Sequence, residues 1–308
     1  MLETWLTSTL DLQVPILGAP MGGRAGSELV IAVSRAGGLG MLGAARYTTP
    51  EWIAEQGNVI RESGAKFGVG LQTWSLDDDR MVAATVEAAP ALVSLSFGDP
   101  APFVGSFHAA GIPVLAQVNT LDDLRTAEAA GVDVVAAQGT EAGGHTGRVA
   151  TLPLLQEILD ATQLPVLAAG GIATGRGLAA VLAAGAQGAL VGTALLASPE
   201  TVGPAYARER VVAATATDTV YTDVFDKARD QPWPPRWFGR AIANEFTARF
   251  HGADADNATL AAAYDADNGD IGVVYAGEAA GLVRAQRPAG EIVRAIAAEA
   301  EALLSRFR

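Results

Sequence analysis

The run Val132-Asp133-Val134-Val135-Ala136-Ala137-Gln138-Gly139-Thr140-Glu141-Ala142-Gly143-Gly144-His145-Thr146-Gly147 decides how this chain is read. Its first half is apolar without alternation, the pattern of a parallel β-strand covered on both faces. It opens directly into a glycine-rich, flexible-looking loop, where the backbone can approach a ligand closely. Within that loop lies His145, one of three histidines in the chain. A histidine at the C-terminal end of such a strand suits proton transfer or polar recognition near neutral pH. The bland alternative is a loop histidine that only bonds to backbone.

Runs of the same kind recur on either side at steady spacing: Pro15–Ala19, Leu39–Gly43, Phe67–Leu71, Leu92–Phe97, Pro113–Val118, Val132–Gln138, Pro165–Ala169 and Gly188–Gly192. Helix signals fall between them. Thr49 precedes Pro50, a proline at a first helical position, and Ser75 and Thr120 each precede a leucine and two aspartates (Asp77-Asp78 and Asp122-Asp123), an N-cap followed by first-turn acids. Leu121–Ala130 and Leu152–Ala161 carry apolar residues at helical spacing, and Gly111, Gly131 and Gly185 stand where C-terminal caps belong. Eight strands alternating with helices predict an α/β fold, a (β/α)8 TIM barrel. An open doubly wound sheet is the alternative, but no Gly-x-Gly-x-x-Gly fingerprint follows the first strand.

From Gly203 the rhythm breaks. Val211–Val224 mixes Thr and Val; Trp233-Pro234-Pro235-Arg236-Trp237-Phe238 forms an aromatic-proline cluster suited to covering a site or a subunit contact; Ile242–Phe250 is helix-like. Two Asp-Ala-Asp-Asn copies, 254–257 and 265–268, invite a calcium reading, but Gly269 comes one position too early for an EF-hand loop and no glutamate closes it, so caps or turns explain them better. Glu291–Phe307 reads as an amphipathic helix. The expected organisation is a barrel from 1–202 and 286–308 with a smaller inserted α+β domain, 203–285, facing the substrate.

Composition narrows the function. A formal charge of −13 argues against a nucleic-acid surface and against an anionic membrane, and hydrophobic residues at 50% supply a large core. With no cysteine there is no thiol nucleophile, thiolate-bound metal or disulfide. The start, Met1-Leu2-Glu3-Thr4-Trp5, lacks a signal-peptide pattern, and the apolar stretch from Leu178 to Ala197 is interrupted by glycines, so a cytoplasmic protein is expected.

In a barrel, ligands bind at the C-terminal ends of the strands. Every unusual loop here comes just after a strand: Pro20-Met21-Gly22-Gly23, the His145 loop, Gly170-Gly171-Ile172-Ala173-Thr174-Gly175-Arg176, and Gly192-Thr193. The last two occupy the usual phosphate position, where backbone amides meet an anion. Tight turns demanded by barrel closure are the competing explanation.

Three segments carry a resemblance: Pro15-Ile16-Leu17-Gly18-Ala19-Pro20-Met21-Gly22, Gln138-Gly139-Thr140-Glu141-Ala142-Gly143-Gly144-His145-Thr146-Gly147, and Ala168-Ala169-Gly170-Gly171-Ile172-Ala173. In this order they resemble the nitronate monooxygenase family, formerly 2-nitropropane dioxygenases. The likeness runs from Pro15 to about Ser198 and resumes at Tyr275–Leu282. It implies a barrel that binds FMN non-covalently, with Ala19, Pro20, Met21 and Gly22 lining the isoalloxazine through backbone atoms. Gln138 would hydrogen-bond the flavin, Gly143 and Gly144 would let the loop approach it, and Gly170, Gly171, Gly192 and Thr193 would hold its phosphate. His145 matches the histidine at the reacting face, as base or as substrate-orienting group.

The sequence also departs from the family. Gly70 stands where an asparagine is common, with Gln72 a candidate replacement; Gln117 stands where a lysine is often found near the flavin, which alters the field around the ring; Glu278 replaces a glutamine. His108 lies near a helix end, where it can interact with the C-terminal carbonyls, and it and His251 read as structural. Glu141 either orients His145 or bonds loop amides, the second being favoured. Trp74 and Tyr275 are candidates for the pocket wall.

The expected activity is FMN-dependent oxidation of alkyl nitronates, with nitroalkanes as further candidates, using O2. A nicotinamide-dependent flavin reductase of quinones or enoyl thioesters is the alternative, and a non-flavin phosphate-binding barrel (isomerase, synthase or sensor) the alternative of another class. The partners implied are a small molecule and O2, without metal, nucleic acid or membrane; the oligomeric state is open, a homodimer included.

Overall fold

A computed structural model describes residues 2–76 and 79–307. Eight parallel strands alternate with helices: β1 (Ile16–Gly18), β2 (Met41–Ala44), β3 (Gly68–Gln72), β4 (Leu92–Ser96), β5 (Val114–Val118), β6 (Val134–Gln138), then, after a short β7 (Gly144–Thr146), β8 (Val166–Ala169) and β9 (Ala189–Val191). Their order is β1-β9-β8-β6-β5-β4-β3-β2. Leu39, just before β2, bridges Leu17 and exchanges backbone bonds with Ile16 and Gly18, closing the ring. The fold is the expected (β/α)8 barrel.

Apolarity on both strand faces has two destinations. Leu17, Leu39, Leu115, Leu167 and Leu190 fill the inside of the ring, where Leu6 and Leu10 of the helix Trp5–Leu10 join them. That helix starts on a capping box, Thr4 with Thr7, and plugs one end of the barrel. The outer faces pack under the surrounding helices. The last helix, Ala289–Leu304, packs between the helices Gly175–Ala183 and Ser27–Arg35 on the outside of the barrel.

Most sequence signals sit where expected. Thr49 and Thr120 accept from Trp52 N and Asp123 N, and Gly131 adopts φ 78° as a C-cap. Asp256 caps the helix Asn257–Ala263, while Asp265 and Asn268 make side-chain turns with Asp267 N and Asp270 N. No cluster able to hold a metal ion occurs among the described residues. Ser75 is different: it lies in a 3-10 turn, Thr73–Ser75, its hydroxyl donating to Gln72 O, and the next helix begins at Asp79. Asp77 and Asp78 lie outside the described residues. Ile242 ends a strand, and the helix expected from it starts at Glu245. Among the described residues no helix is long and apolar enough to cross a membrane.

After the barrel strands come β10 (Thr219–Thr222) and β11 (Phe238–Ile242), antiparallel to each other. β11 also pairs antiparallel with β7, placing Gly239 opposite His145. The stretch read as a flexible loop is therefore partly a strand, because residues far along the chain supply its hydrogen-bonding partner.

The helix Ser27–Arg35 packs closely on Gly40, just before β2, where a Cβ would stand 2.4 Å from Val30 O and 2.5 Å from Val30 Cα. Gly40→Ala should cost about 1–3 kcal/mol through overpacking, visible as a lowered midpoint in thermal unfolding; an unchanged midpoint would show that the helix Ser27–Arg35 yields freely.

Candidate active site

A cavity of about 680 Å³ opens at the C-terminal ends of the barrel strands. It is lined by the candidate catalytic and cofactor-binding residues: Ala19, Pro20, Met21 and Gly22 after β1; Gln72 and Gln117 from β3 and β5; Gln138, Gly143, Gly144 and His145 from β6 and its loop; Gly170, Gly171, Gly192 and Thr193 after β8 and β9. The opposite wall comes from later in the chain and includes Arg229, Trp233 and Tyr275. Trp74 is not part of the wall; it packs beside Trp233, ring centroids 4.8 Å apart.

One end of the cavity presents backbone. Gly170 and Gly171 take φ 104° and 73°, a conformation glycine adopts without steric cost. At Gly171 a Cβ would also meet the Glu141 carboxylate at 2.3 Å. Thr193 Oγ1 accepts from Gly277 N at 2.9 Å, which leaves its own proton free to donate to an anion. Glu141 spends its carboxylate on Thr151 N (3.0 Å), serving the amide-bonding role expected of it rather than orienting His145.

The floor is an amide network. Gln138 Oε1 accepts from Gln117 Nε2 and Asn119 Nδ2, both at 2.9 Å, and Gln138 Nε2 donates to His145 O at 3.2 Å. Trp237 Nε1 donates to Asn119 Oδ1. Gln138 thus keeps one N–H for a ligand, while Gln117 retains both its carbonyl oxygen and an N–H. Gln72 accepts from Arg46 N, which holds it at the rim. At Gly70 a Cβ would fall 2.3 Å from the Pro20 ring, so with Pro20 in this place no side chain fits there.

His145 is 6% exposed and sits among Trp233, Tyr275 and two residues that no sequence motif marks, Asp226 and Arg229. Its Nε2 lies 2.8 Å from Asp226 Oδ2, and Asp226 is 3% exposed. Asp226 Oδ1 receives Tyr275 OH at 2.9 Å and Arg229 Nη2 at 3.3 Å, and Arg229 Nη2 also reaches the Tyr275 hydroxyl oxygen at 2.8 Å. The indole of Trp233 stacks on the imidazole, centroids 3.4 Å apart and planes 7° from parallel. The aromatic-proline cluster therefore covers the site. Asp226 lies on the short helix Val224–Ala228, in a segment whose sequence carries no motif, and only the tertiary fold brings it to His145.

Electrostatics set the protonation states. Burial pushes the His145 pKa below its ordinary value; the Asp226 hydrogen bond and charge pull the other way without cancelling it, and Arg229 adds to the lowering. The ring is neutral at neutral pH despite its carboxylate neighbour. Burial raises the Tyr275 phenol well above its usual range, so it stays a donor. Since a carboxylate only accepts, Nε2 carries the imidazole proton, and Nδ1 has no protein hydrogen bond among the described residues.

The remaining sequence candidates have structural roles. His108 Nε2 bonds Asp133 Oδ2 at 2.9 Å, tying its helix to the lead into β6 rather than capping helix carbonyls. His251 Nδ1 bonds Thr222 Oγ1 at 3.0 Å. The carboxylate of Glu278 lies 3.3 Å from Arg240 Nη1, and Arg240 in turn clasps Thr140 O and Thr140 Oγ1.

Comparison with known proteins agrees with this geometry. The sequence model of the nitronate monooxygenase family matches residues 3–71 and 60–299. The nitronate monooxygenase of Paraburkholderia phytofirmans is 32% identical, over 98% of this chain and 96% of that protein. Among solved structures, FabK from Thermotoga maritima superposes with a TM-score of 0.89 at 29% identity, covering 100% of this chain and 99% of the other. Nitroalkane oxidase from Streptomyces ansochromogenes gives 0.84 at 31% identity, covering 98% and 99%. The chain belongs to the nitronate monooxygenase family, a family of flavin-dependent oxidoreductases.

Proposed function

We propose that this protein is an FMN-dependent oxidoreductase that oxidises alkyl nitronates, and nitroalkanes after deprotonation, with O2 as the final electron acceptor. The observation that carries the reading is one cavity holding the buried His145 and, in the same wall, the glycine-lined turns at Gly170-Gly171 and Gly192-Thr193.

The residues suit the cofactor. Gly170, Gly171, Gly192 and Thr193 would hold the phosphate through amides and one hydroxyl, a necessary route in a chain of net charge −13. Ala19, Pro20, Met21 and Gly22 would line the ring through backbone, Gly143 and Gly144 would allow close approach, and Gln138, Gln117 and Gln72 would supply amide contacts. When bound, FMN supplies two-electron oxidation of the substrate and a route for the electrons to O2. The segment 203–285 would act as a smaller unit covering the substrate, since Arg229, Trp233 and Tyr275 wall the cavity.

The chain's own part is proton handling. Nδ1 of His145, free of protein partners among the described residues, accepts the α-proton of a nitroalkane. For a nitronate no proton need move, and His145 would hold the nitro group only as the imidazolium, whose Nδ1–H can donate to its oxygens. Trp233 covers one face of the ring and closes that side to the substrate. A second reading, nicotinamide-dependent reduction of quinones or enoyl thioesters, draws on the likeness to FabK.

Three measurements test this. The purified protein should be yellow and release FMN on denaturation, and under anaerobic conditions nitronate rather than NADH or NADPH should bleach it; rapid bleaching by a nicotinamide would favour the second reading. His145→Asn should retain FMN yet lower nitroalkane turnover by about 10²- to 10⁴-fold; full activity would remove His145 from the mechanism. Because the base is the neutral ring and its pKa is lowered, nitroalkane kcat should stay level from neutral pH downward and fall only below the ordinary histidine value of about 6.5. A limb above that value would contradict the assignment.

A further inference from the structure

We infer that Asp226 is a positioning residue that fixes His145 as its Nε2–H tautomer and so makes Nδ1 the basic atom. The inference rests on the proposed oxidation of nitro compounds for its kinetic consequence, but not for its structural content.

The geometry leaves Asp226 one arrangement. Its Oδ1 is committed to two donors, Tyr275 OH at 2.9 Å and Arg229 Nη2 at 3.3 Å. Its Oδ2 faces His145 Nε2 at 2.8 Å. Arg229 also donates to the Tyr275 hydroxyl oxygen at 2.8 Å, which directs the phenol proton onto Oδ1. With every partner of the carboxylate a donor, Nε2 must carry the hydrogen and Nδ1 the lone pair. The ring is held in that plane from its face by Trp233 and from its backbone by the pairing of β7 with β11. In the reaction, the Cα–H bond of the nitroalkane breaks, its electron pair passes into the nitro group to give the nitronate, and the proton forms a bond to Nδ1. The resulting imidazolium is stabilised by Asp226 until that proton leaves to solvent.

The same arrangement says what an isosteric change would do. In Asp226→Asn the two donors at the Oδ1 position would keep the amide oxygen there and turn the NH2 toward His145. An NH2 donating to Nε2 forces the ring proton onto Nδ1, and the base is lost although every atom keeps its place. The wrong tautomer in a histidine–carboxylate pair costs about 10⁴-fold in a well-studied hydrolase.

Two readouts on the FMN-loaded protein test this. Nitrogen chemical shifts of isotopically labelled histidine, tractable with three histidines in the chain, should show protonated Nε2 in the wild type and protonated Nδ1 in Asp226→Asn. Turnover of a neutral nitroalkane should fall about 10²- to 10⁴-fold in the variant, while turnover of the preformed nitronate falls far less. A wild-type ring protonated on Nδ1 would overturn the inference with no variant needed. So would an unchanged tautomer in Asp226→Asn, or an equal fall for both substrates. If the wild type oxidises neither compound, the functional reading fails, and the histidine spectrum alone decides the role of Asp226.

Discussion

The backbone pairing of β7 with β11 is the constraint on which the rest of the site depends. A glycine-rich loop leaving a barrel strand has few side chains with which to hold itself still, and a histidine carried on it would sample many positions. Here the loop is taken up as the edge of a three-stranded sheet, β10-β11-β7, and Arg240 fastens its base at Thr140. The same sheet brings up the segment that bears Asp226, Arg229 and Trp233. Position and protonation of His145 thus come from one event, the docking of later chain onto the barrel mouth.

The two ends of the cavity solve different electrostatic problems. Toward the glycine turns, an anion would be met by amide dipoles and a hydroxyl, which carry no desolvation cost of a full charge. Toward His145 the protein buries a carboxylate, and does so only because three donors surround it; an unpaired one there would be strongly destabilising. Burial keeps the imidazole neutral, and the carboxylate keeps that neutral ring in one tautomer. These effects act on the same group in opposite directions, and the geometry uses both.

The barrel was legible because its signals are local. Unbroken apolar runs, capping residues such as Thr49 and Thr120, and glycines placed after strand ends are all readable within a few residues. The lining residues that come from the barrel were legible for the same reason, each lying at the end of a strand or in the loop that follows it. Family membership sets aside the non-flavin alternative. The part that stayed hidden was long-range: Asp226 is 81 positions from His145 and carries no motif, and β7 cannot be recognised without the strand it pairs with. His108 shows the same limit in miniature. Its place near a helix end suggested helix carbonyls as partners, yet Asp133, on the approach to β6, takes the bond.

A site assembled in this way extends its sensitivity to Gly239. That glycine lies opposite His145 on β11, and the space its missing side chain leaves is filled by the Tyr275 ring, 2.4 Å from where a Cβ would stand. Gly239 neither lines the cavity nor contacts the imidazole's carboxylate partner. Yet any larger residue there would displace the phenol and, with it, one of the donors that orients Asp226. In genetic terms, position 239 would behave as an active-site locus, its alleles inactivating through a neighbour's neighbour.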